Sequence, residues 1–172
     1  MSALGTIGKI VRSSLSRGGA RKSKKSPAPE LEKGTFDYIR EPKSDCFSVG
    51  FAKTDVMPDD MDKTAYYVAG YRMNNPAKGV LDPMTASAVW IDDLSGRGGV
   101  VFVSIDDIGL TNYDVGIIRD LLADFKKESG CRSINIMSIH NHASIDTVGL
   151  WGPLPRSGRN KKYMELLAQK VK

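Results

Sequence analysis

The stretch "VVFVSIDDIGLTNYDVGIIRDLLADFKKESGCRSINIMSIH", residues 100–140, decides the fold class. An apolar run over 99–107 predicts a strand that is buried on both faces. A helical period follows over 113–128, and a second strand is predicted over 133–140. The buried stripe of the helix is predicted to hold Val115, Ile118, Leu121, Leu122 and Phe125. Strand, helix and strand form a β-α-β unit, in which the strands are parallel and the crossover is right-handed.

Further elements lie on both sides of this unit. Alternating apolar residues predict a strand over 46–52, and the β-prone stretches 65–71 and 84–93 predict two more. The last residues, 159–172, have the period of an amphipathic helix. The predicted fold class is therefore α/β, with a mixed sheet that contains a parallel β-α-β unit and has helices on its faces. We expect an incomplete domain, because the final helix runs to Lys172 without a stop signal and its apolar stripe needs partners.

The positive charge of the chain is concentrated at its start. The net charge is +5, yet seven of the 25 Lys and Arg residues and none of the 20 acidic residues lie within 1–29. The rest of the chain is close to neutral, which argues against a nucleic-acid-binding face. We interpret 1–34 as a basic, disordered tail and 35–172 as the folded domain. Within the tail, 1–25 is a candidate for weak contact with anionic membranes.

Polar side chains follow both strands of the β-α-β unit. Asp106 and Asp107 end the first strand, and His140 and His142 end the second. Because functional groups in open α/β sheets gather at the carboxyl ends of strands, we expect these four side chains at one edge of the sheet.

The two histidines are the whole histidine content of the chain. On a strand, residues i and i+2 point to the same face, which predicts Cβ atoms roughly 6–7 Å apart. Two imidazoles that are protonated together repel each other, whereas a shared cation favours the neutral form of both. Zn²⁺ prefers neutral nitrogen ligands, so the pair is a candidate metal site.

Four blocks of the sequence, in order, resemble the neutral/alkaline non-lysosomal ceramidase family in its N-terminal catalytic domain. The blocks are "SVGFAKTDVMP" (48–58), "VAGYRMNNPAKGVLDPMTASAVWIDD" (68–93), "VVFVSIDDIGL" (100–110) and "IHNHASIDTVGLWGP" (139–153). The last block is similar to the family's T-H-T-H-S-G-P element and to an H-N-H variant followed by "DTLGLWGP". The resemblance covers about 46–172.

The resemblance implies a zinc-dependent amidase that hydrolyses N-acylsphingosines to a fatty acid and sphingosine. It implies that His140 is a zinc ligand and that His142 lines the active site as a catalytic residue. Asp106 takes the position of the family's aspartate, as a second catalytic residue that holds an imidazole tautomer. The bound Zn²⁺ would lower the pKa of a water molecule and polarise the amide carbonyl.

The chain departs from the family in length and in detail. The family's other zinc ligands, a His, a Glu and a Tyr, come from later segments, and only 30 residues follow His142. Three hypotheses therefore remain open. The chain is a fragment of a ceramidase-like amidase that is inactive alone, a non-catalytic interaction protein on the same half-domain, or a small metal-dependent hydrolase that uses His140, His142 and an aspartate, either Asp106 or Asp146.

The expected partner is a ceramide-like or other amide substrate, and the oligomeric state stays open. The sequence contains no clear signal peptide and no apolar run long enough for a transmembrane helix. We expect a cytoplasmic or membrane-peripheral protein.

Overall fold

The computed structural model describes residues 45–172. The predictions for the tail, 1–34, and for membrane contact through 1–25 lie outside the described residues. The elements in chain order are β1 (Ser48–Asp55), β2 (Thr85–Asp92), β3 (Val100–Ile105), α1 (Asn112–Leu121), α2 (Ala123–Ser129), β4 (Ser133–Ser138) and α3 (Lys161–Val171). No helix in the described range is long and apolar enough to cross a bilayer.

The four strands form one mixed sheet in the order β1-β2-β3-β4. β1 and β2 pair antiparallel, as do β2 and β3, whereas β3 and β4 pair parallel. The chain passes from β3 to β4 through α1 and α2, which is the predicted crossover. The α/β fold class and the parallel β-α-β unit are confirmed.

The predicted helix over 113–128 is interrupted in the structure. α1 begins after Thr111, whose side chain and that of Asp114 cap each other's backbone N–H groups. At Leu122 the backbone leaves the helical conformation, and α2 contains no buried residue. Phe125 is therefore not part of a buried stripe, as we had predicted, but contacts the edge of the Trp90 ring.

Three strand predictions need correction. Residues 65–71 form no strand, only single bridges from Tyr67 to Pro76 and from Val68 to Ile145. β3 is buried on one face rather than two, because its alternate residue Phe102 is exposed. β4 ends at Ser138, two residues before the predicted end of that strand.

The core lies between one face of the sheet and the helices. It includes Val101, Val103 and Ile105 of β3, Ile118 of α1 and Leu167 of α3. Trp90 is partly buried and packs against this cluster. The opposite face, which we call the outer face, leaves many of its apolar side chains exposed.

Candidate functional site

Both histidines follow β4 in a turn rather than on the strand. Ile139 N–H donates to the Ile105 carbonyl and Asn141 N–H donates to the Asp107 carbonyl, each at 3.1 Å, so the chain continues beside β3. Between them His140 has a positive φ of 59°, which a non-glycine residue rarely adopts. Our argument from strand periodicity is therefore wrong, because neither residue lies in the strand. Backbone strain of this kind is concentrated at functional sites.

The two imidazole rings nevertheless meet. Their Nε2 atoms lie 3.4 Å apart. The Nδ1 atom of His140 is 2.7 Å from the Ile108 carbonyl oxygen, which can only accept a hydrogen bond. Nδ1 of His140 therefore carries the hydrogen, and in the neutral ring Nε2 presents a lone pair towards His142.

Gly70 lies directly behind the ring of His142. A Cβ atom on Gly70 would be only 2.5 Å from Cγ and 2.6 Å from Nδ1 of that ring, and Gly70 has a φ of 112°. Nδ1 of His142 is buried here and has no hydrogen-bond partner. Tyr71 contacts the same ring from its edge, with ring centroids 4.8 Å apart. The residue type at position 70 therefore determines how closely the His142 ring can approach the backbone.

Trp151 connects this backbone to the segment after the histidines. Its indole N–H donates to the Gly70 carbonyl at 2.7 Å, and its own carbonyl accepts from Asn74 N–H at 2.9 Å. Ala69 N–H donates to the Ser144 carbonyl at 2.9 Å on the other side. These bonds anchor the loop that contains Trp151.

Asp146 organises the loop in which Trp151 lies. Its carboxylate is completely buried and accepts hydrogen bonds from the backbone N–H groups of Val148, Gly149 and Trp151. Both carboxylate oxygens are used in these bonds. Asp146 therefore holds the loop that positions Gly70 and His142.

Asp106 lies at the end of β3, as the sequence predicts, but its carboxylate faces β2. Its Oδ2 atom accepts from the backbone N–H of Thr85 at 2.7 Å and from the Thr85 hydroxyl at 2.9 Å. The tautomer of His140 is held by the Ile108 carbonyl, at the position where we had expected a carboxylate. The contacts of Asp106 thus join two strands, while the histidine pair is built from backbone atoms.

Asp107 is the aspartate that points into the protein interior. It is 1% exposed, and neither carboxylate oxygen has a partner at hydrogen-bonding geometry. Burial raises the pKa of Asp107 to about 6, and the nearby Ser138 hydroxyl and Gly109 N–H offset this only in part.

An ion pair between Arg159 and the buried Asp114 holds the loop at Thr147. Arg159 binds the carboxylate of Asp114 through both terminal nitrogens and also donates to the Thr147 carbonyl. Burial alone would raise the pKa of Asp114, but the hydrogen bonds from Arg159 and Thr111 outweigh it and hold that pKa below its ordinary value. α1, the segment after the histidines and the start of α3 are therefore joined at one point.

The histidine pair fits two ligands of one zinc ion. Two nitrogens bound to tetrahedral zinc at about 2.0–2.1 Å lie about 3.3–3.4 Å from each other. The observed Nε2 separation of 3.4 Å matches this spacing. Within residues 45–172, however, no group of three or more His, Cys, Asp and Glu side chains is arranged to hold a metal ion. The described residues therefore fit two of the three or more protein ligands that zinc requires.

A separate cavity of about 280 Å³ lies between α1 and α3. Ile118, Met164 and Leu167 are among the residues that line it, and neither histidine is. The cavity is therefore not the space in front of the histidine pair.

The comparisons with known proteins agree with this geometry at the level of the fold. One similar solved structure is described as a ceramidase complexed with C2, with a TM-score of 0.54 and 16% sequence identity. The match covers 73% of this chain and 20% of that chain, so the present chain spans about a fifth of the ceramidase's length. The fold is ceramidase-like. No family model matches the chain, and no curated protein does either.

The structure brings together His140 and His142 and places Asp106 and Asp107 in different surroundings. The sequence-based interpretation did not include Gly70, Tyr71 or the Ile108 carbonyl. Gly70 and Tyr71 lie within "VAGYRMNN", one of the blocks that carry the family resemblance, so a signal was present there. Nothing in the sequence distinguishes the Ile108 carbonyl from its neighbours.

Proposed function

We propose that this chain carries the histidine part of a zinc-dependent, ceramidase-like amidase centre. The single observation that supports it most is the 3.4 Å separation of the two Nε2 atoms. The ceramidase-like fold supports it independently. In this proposal His140 and His142 hold Zn²⁺ together, and further ligands come from outside the described residues.

In the proposed centre, the backbone prepares His140 for its role. The Ile108 carbonyl holds the hydrogen on Nδ1, so that Nε2 of His140, which contacts Nε2 of His142, carries the lone pair that would bind a cation. A bound zinc ion would lower the pKa of a water molecule and polarise the amide carbonyl of a substrate.

For His142 two roles are compatible with its place beside His140. As a ligand, His142 would bind through Nε2 the same zinc ion that Nε2 of His140 binds. As a catalytic residue, the same nitrogen would carry a proton to the leaving amine. We favour the ligand role because of the separation of the two nitrogens. Asp106 would act indirectly, by joining the ends of β2 and β3 through Thr85.

The substrate class in this proposal is an N-acylsphingosine or another amide with an apolar chain. Tyr71 supports it, since this residue is 88% exposed and its ring makes a T-shaped contact with the His142 ring. An exposed aromatic ring beside the reacting groups offers a surface for an acyl chain or a sphingoid base.

A chimera tests this function. Residues 45–172 would replace the structurally matching segment of the solved ceramidase, so that the missing ligands come from the remainder of that enzyme. We expect zinc binding and hydrolysis of a short-chain N-acylsphingosine, both lost on His140→Ala and retained on Glu165→Gln, a matched change at an exposed carboxylate on α3. A folded, zinc-loaded chimera that does not hydrolyse the amide would contradict the proposal.

A further inference from the structure

Two buried polar atoms without a hydrogen-bond partner belong to the segment His142–Ser144. They are Nδ1 of His142 and the hydroxyl oxygen of Ser144, a residue that is 2% exposed. Buried polar side-chain atoms in native proteins are nearly always hydrogen-bonded, because an unmade bond leaves the cost of desolvation uncompensated. Two unsatisfied atoms on residues so close in the chain therefore indicate a bond between the two side chains.

The contacts of His140 determine which hydrogen the neutral ring of His142 carries. Nδ1 of His140 donates to the Ile108 carbonyl, so Nε2 of His140 presents a lone pair. Nε2 of His142 lies 3.4 Å from it, and two lone pairs that face each other repel. Nε2 of His142 therefore carries the hydrogen, and Nδ1 of His142 is a buried lone pair that needs a donor.

Ser144 lies beside the backbone segment that packs against this nitrogen. Its carbonyl accepts from Ala69 N–H at 2.9 Å, and a Cβ atom on the next residue, Gly70, would be 2.6 Å from Nδ1 of His142. Within residues 45–172, the other buried side-chain atoms without a partner are the two carboxylate oxygens of Asp107. An ionised carboxylate only accepts hydrogen bonds, whereas a hydroxyl also donates, so Ser144 is the residue that supplies the missing donor.

We propose that the Ser144 hydroxyl is the hydrogen-bond partner of Nδ1 of His142 and fixes the orientation of that ring. The bond forms directly, after a rotation about the Cα–Cβ bond of Ser144, or through one water molecule. Ser144 is thus a positioning residue for His142.

The same bond deepens the proposed function, on which this second step rests. When Nε2 of His142 binds a cation, the hydrogen of the neutral ring must lie on Nδ1, which then needs an acceptor. A hydroxyl both donates and accepts, so Ser144 suits both tautomers of His142. The Ile108 carbonyl only accepts and holds His140 in one tautomer.

An imidazole ¹⁵N NMR spectrum of the full 172-residue chain without added metal tests the bond. It is recorded at about pH 8, where free imidazole side chains are neutral. In the wild type, the Nδ1 signal of His142 should have the shift of a hydrogen-bonded lone pair. Ser144→Ala should move this signal downfield, because the lone pair loses its donor, and should leave the Nδ1 hydrogen of His140 in place. Ser144→Thr keeps the hydroxyl and should keep the wild-type signal.

Ser138→Ala is the matched control, since it removes a hydroxyl at the end of β4 that lies near Asp107. It should leave the Nδ1 signal of His142 unchanged. An Nδ1 signal that Ser144→Ala does not move would overturn the proposal, and so would an equal shift in Ser144→Thr or in Ser138→Ala. Because the spectrum is recorded without metal, its failure leaves the proposed function untouched, and an inactive chimera leaves the Ser144 bond untouched.

Discussion

A methyl group on Gly70 would lie 2.5 Å from Cγ of the His142 ring, closer than real Cβ contacts occur. The same glycine has a φ of 112°, and its carbonyl accepts the indole N–H of Trp151. The position of one histidine thus depends on a backbone segment about 70 residues earlier in the chain. Two of the following predictions test that dependence.

Gly70→Ala should displace His142 and destabilise the fold. Backbone strain at a positive φ costs about 1–3 kcal/mol, and the clash with the ring adds to it. Urea unfolding measures the loss, and the imidazole ¹⁵N shifts of His142 report the displacement. Gly79→Ala is the control, because nothing lies within 4 Å of its Cβ position, and it should change stability by less than about 0.5 kcal/mol. Equal effects of the two substitutions would contradict the role of Gly70.

Trp151→Phe should remove the bond to the Gly70 carbonyl while keeping an aromatic ring in the loop. We expect a loss of about 1 kcal/mol in the free energy of unfolding, the usual value of one hydrogen bond with a part-buried partner. The ¹⁵N shifts of His142 should also change, because Gly70 is no longer held. Unchanged stability together with unchanged shifts would show that the indole N–H does not anchor this segment.

Much of the fold could be predicted from the sequence, because it follows from local periodicity. The apolar run at Val100–Ile105 and the amphipathic stretch after Thr111 indicate strand and helix whatever their surroundings. The break at Leu122 and the exposure of Phe102 depend on which faces other elements cover. No local pattern contains that information.

Asp107→Asn should change the pH dependence of stability. The pKa of Asp107 in the folded protein is about 6, above its ordinary 3.8, so the native state binds this proton more tightly than the unfolded chain. The stabilisation by that proton is present at low pH and is lost as the pH rises from about 4 to 6. The free energy of unfolding of the Asp107→Asn variant, relative to that of wild type, should therefore rise by about 2–3 kcal/mol between pH 4 and pH 7.

Chemical unfolding of both proteins at several pH values measures this difference. If the free energies of unfolding of the two proteins change in parallel between pH 4 and pH 7, Asp107 does not hold a proton in the folded state.

Arg159→Met should cost about 3–5 kcal/mol, because it leaves the buried Asp114 carboxylate without its partner. The pKa of Asp114 lies below its ordinary value, so the stabilisation by the pair is present at neutral pH and is lost as the pH falls through that lowered pKa. The gap between wild type and variant should therefore narrow in acid.

The control is Lys161→Met, which removes an exposed ion pair with Glu165 on the same helix. Thermal or urea unfolding should show a change of about 0.5 kcal/mol or less. A comparable loss in both variants would mean that Arg159 contributes only a surface interaction.

The candidate site was predicted less completely than the fold. His140 and His142 could be identified from their spacing and position after a strand, and they do meet. Their meeting depends on the positive φ of His140, the acceptor at Ile108 and the space left by Gly70. The last two are tertiary features, since each joins segments that are far apart in sequence, and the first is a backbone conformation that strand periodicity does not predict.

The central claim is that both imidazoles bind one cation. Because the chain has only two histidines, an imidazole ¹⁵N NMR spectrum of the whole protein contains only these two rings. Before zinc is added, His140 should show a hydrogen on Nδ1, as its bond to Ile108 requires. On titration with Zn²⁺, the Nε2 signals of both rings should shift together with one apparent affinity, and His142→Ala should weaken the response of His140. Zinc that shifts the signals of one ring and leaves those of the other unchanged would contradict the account.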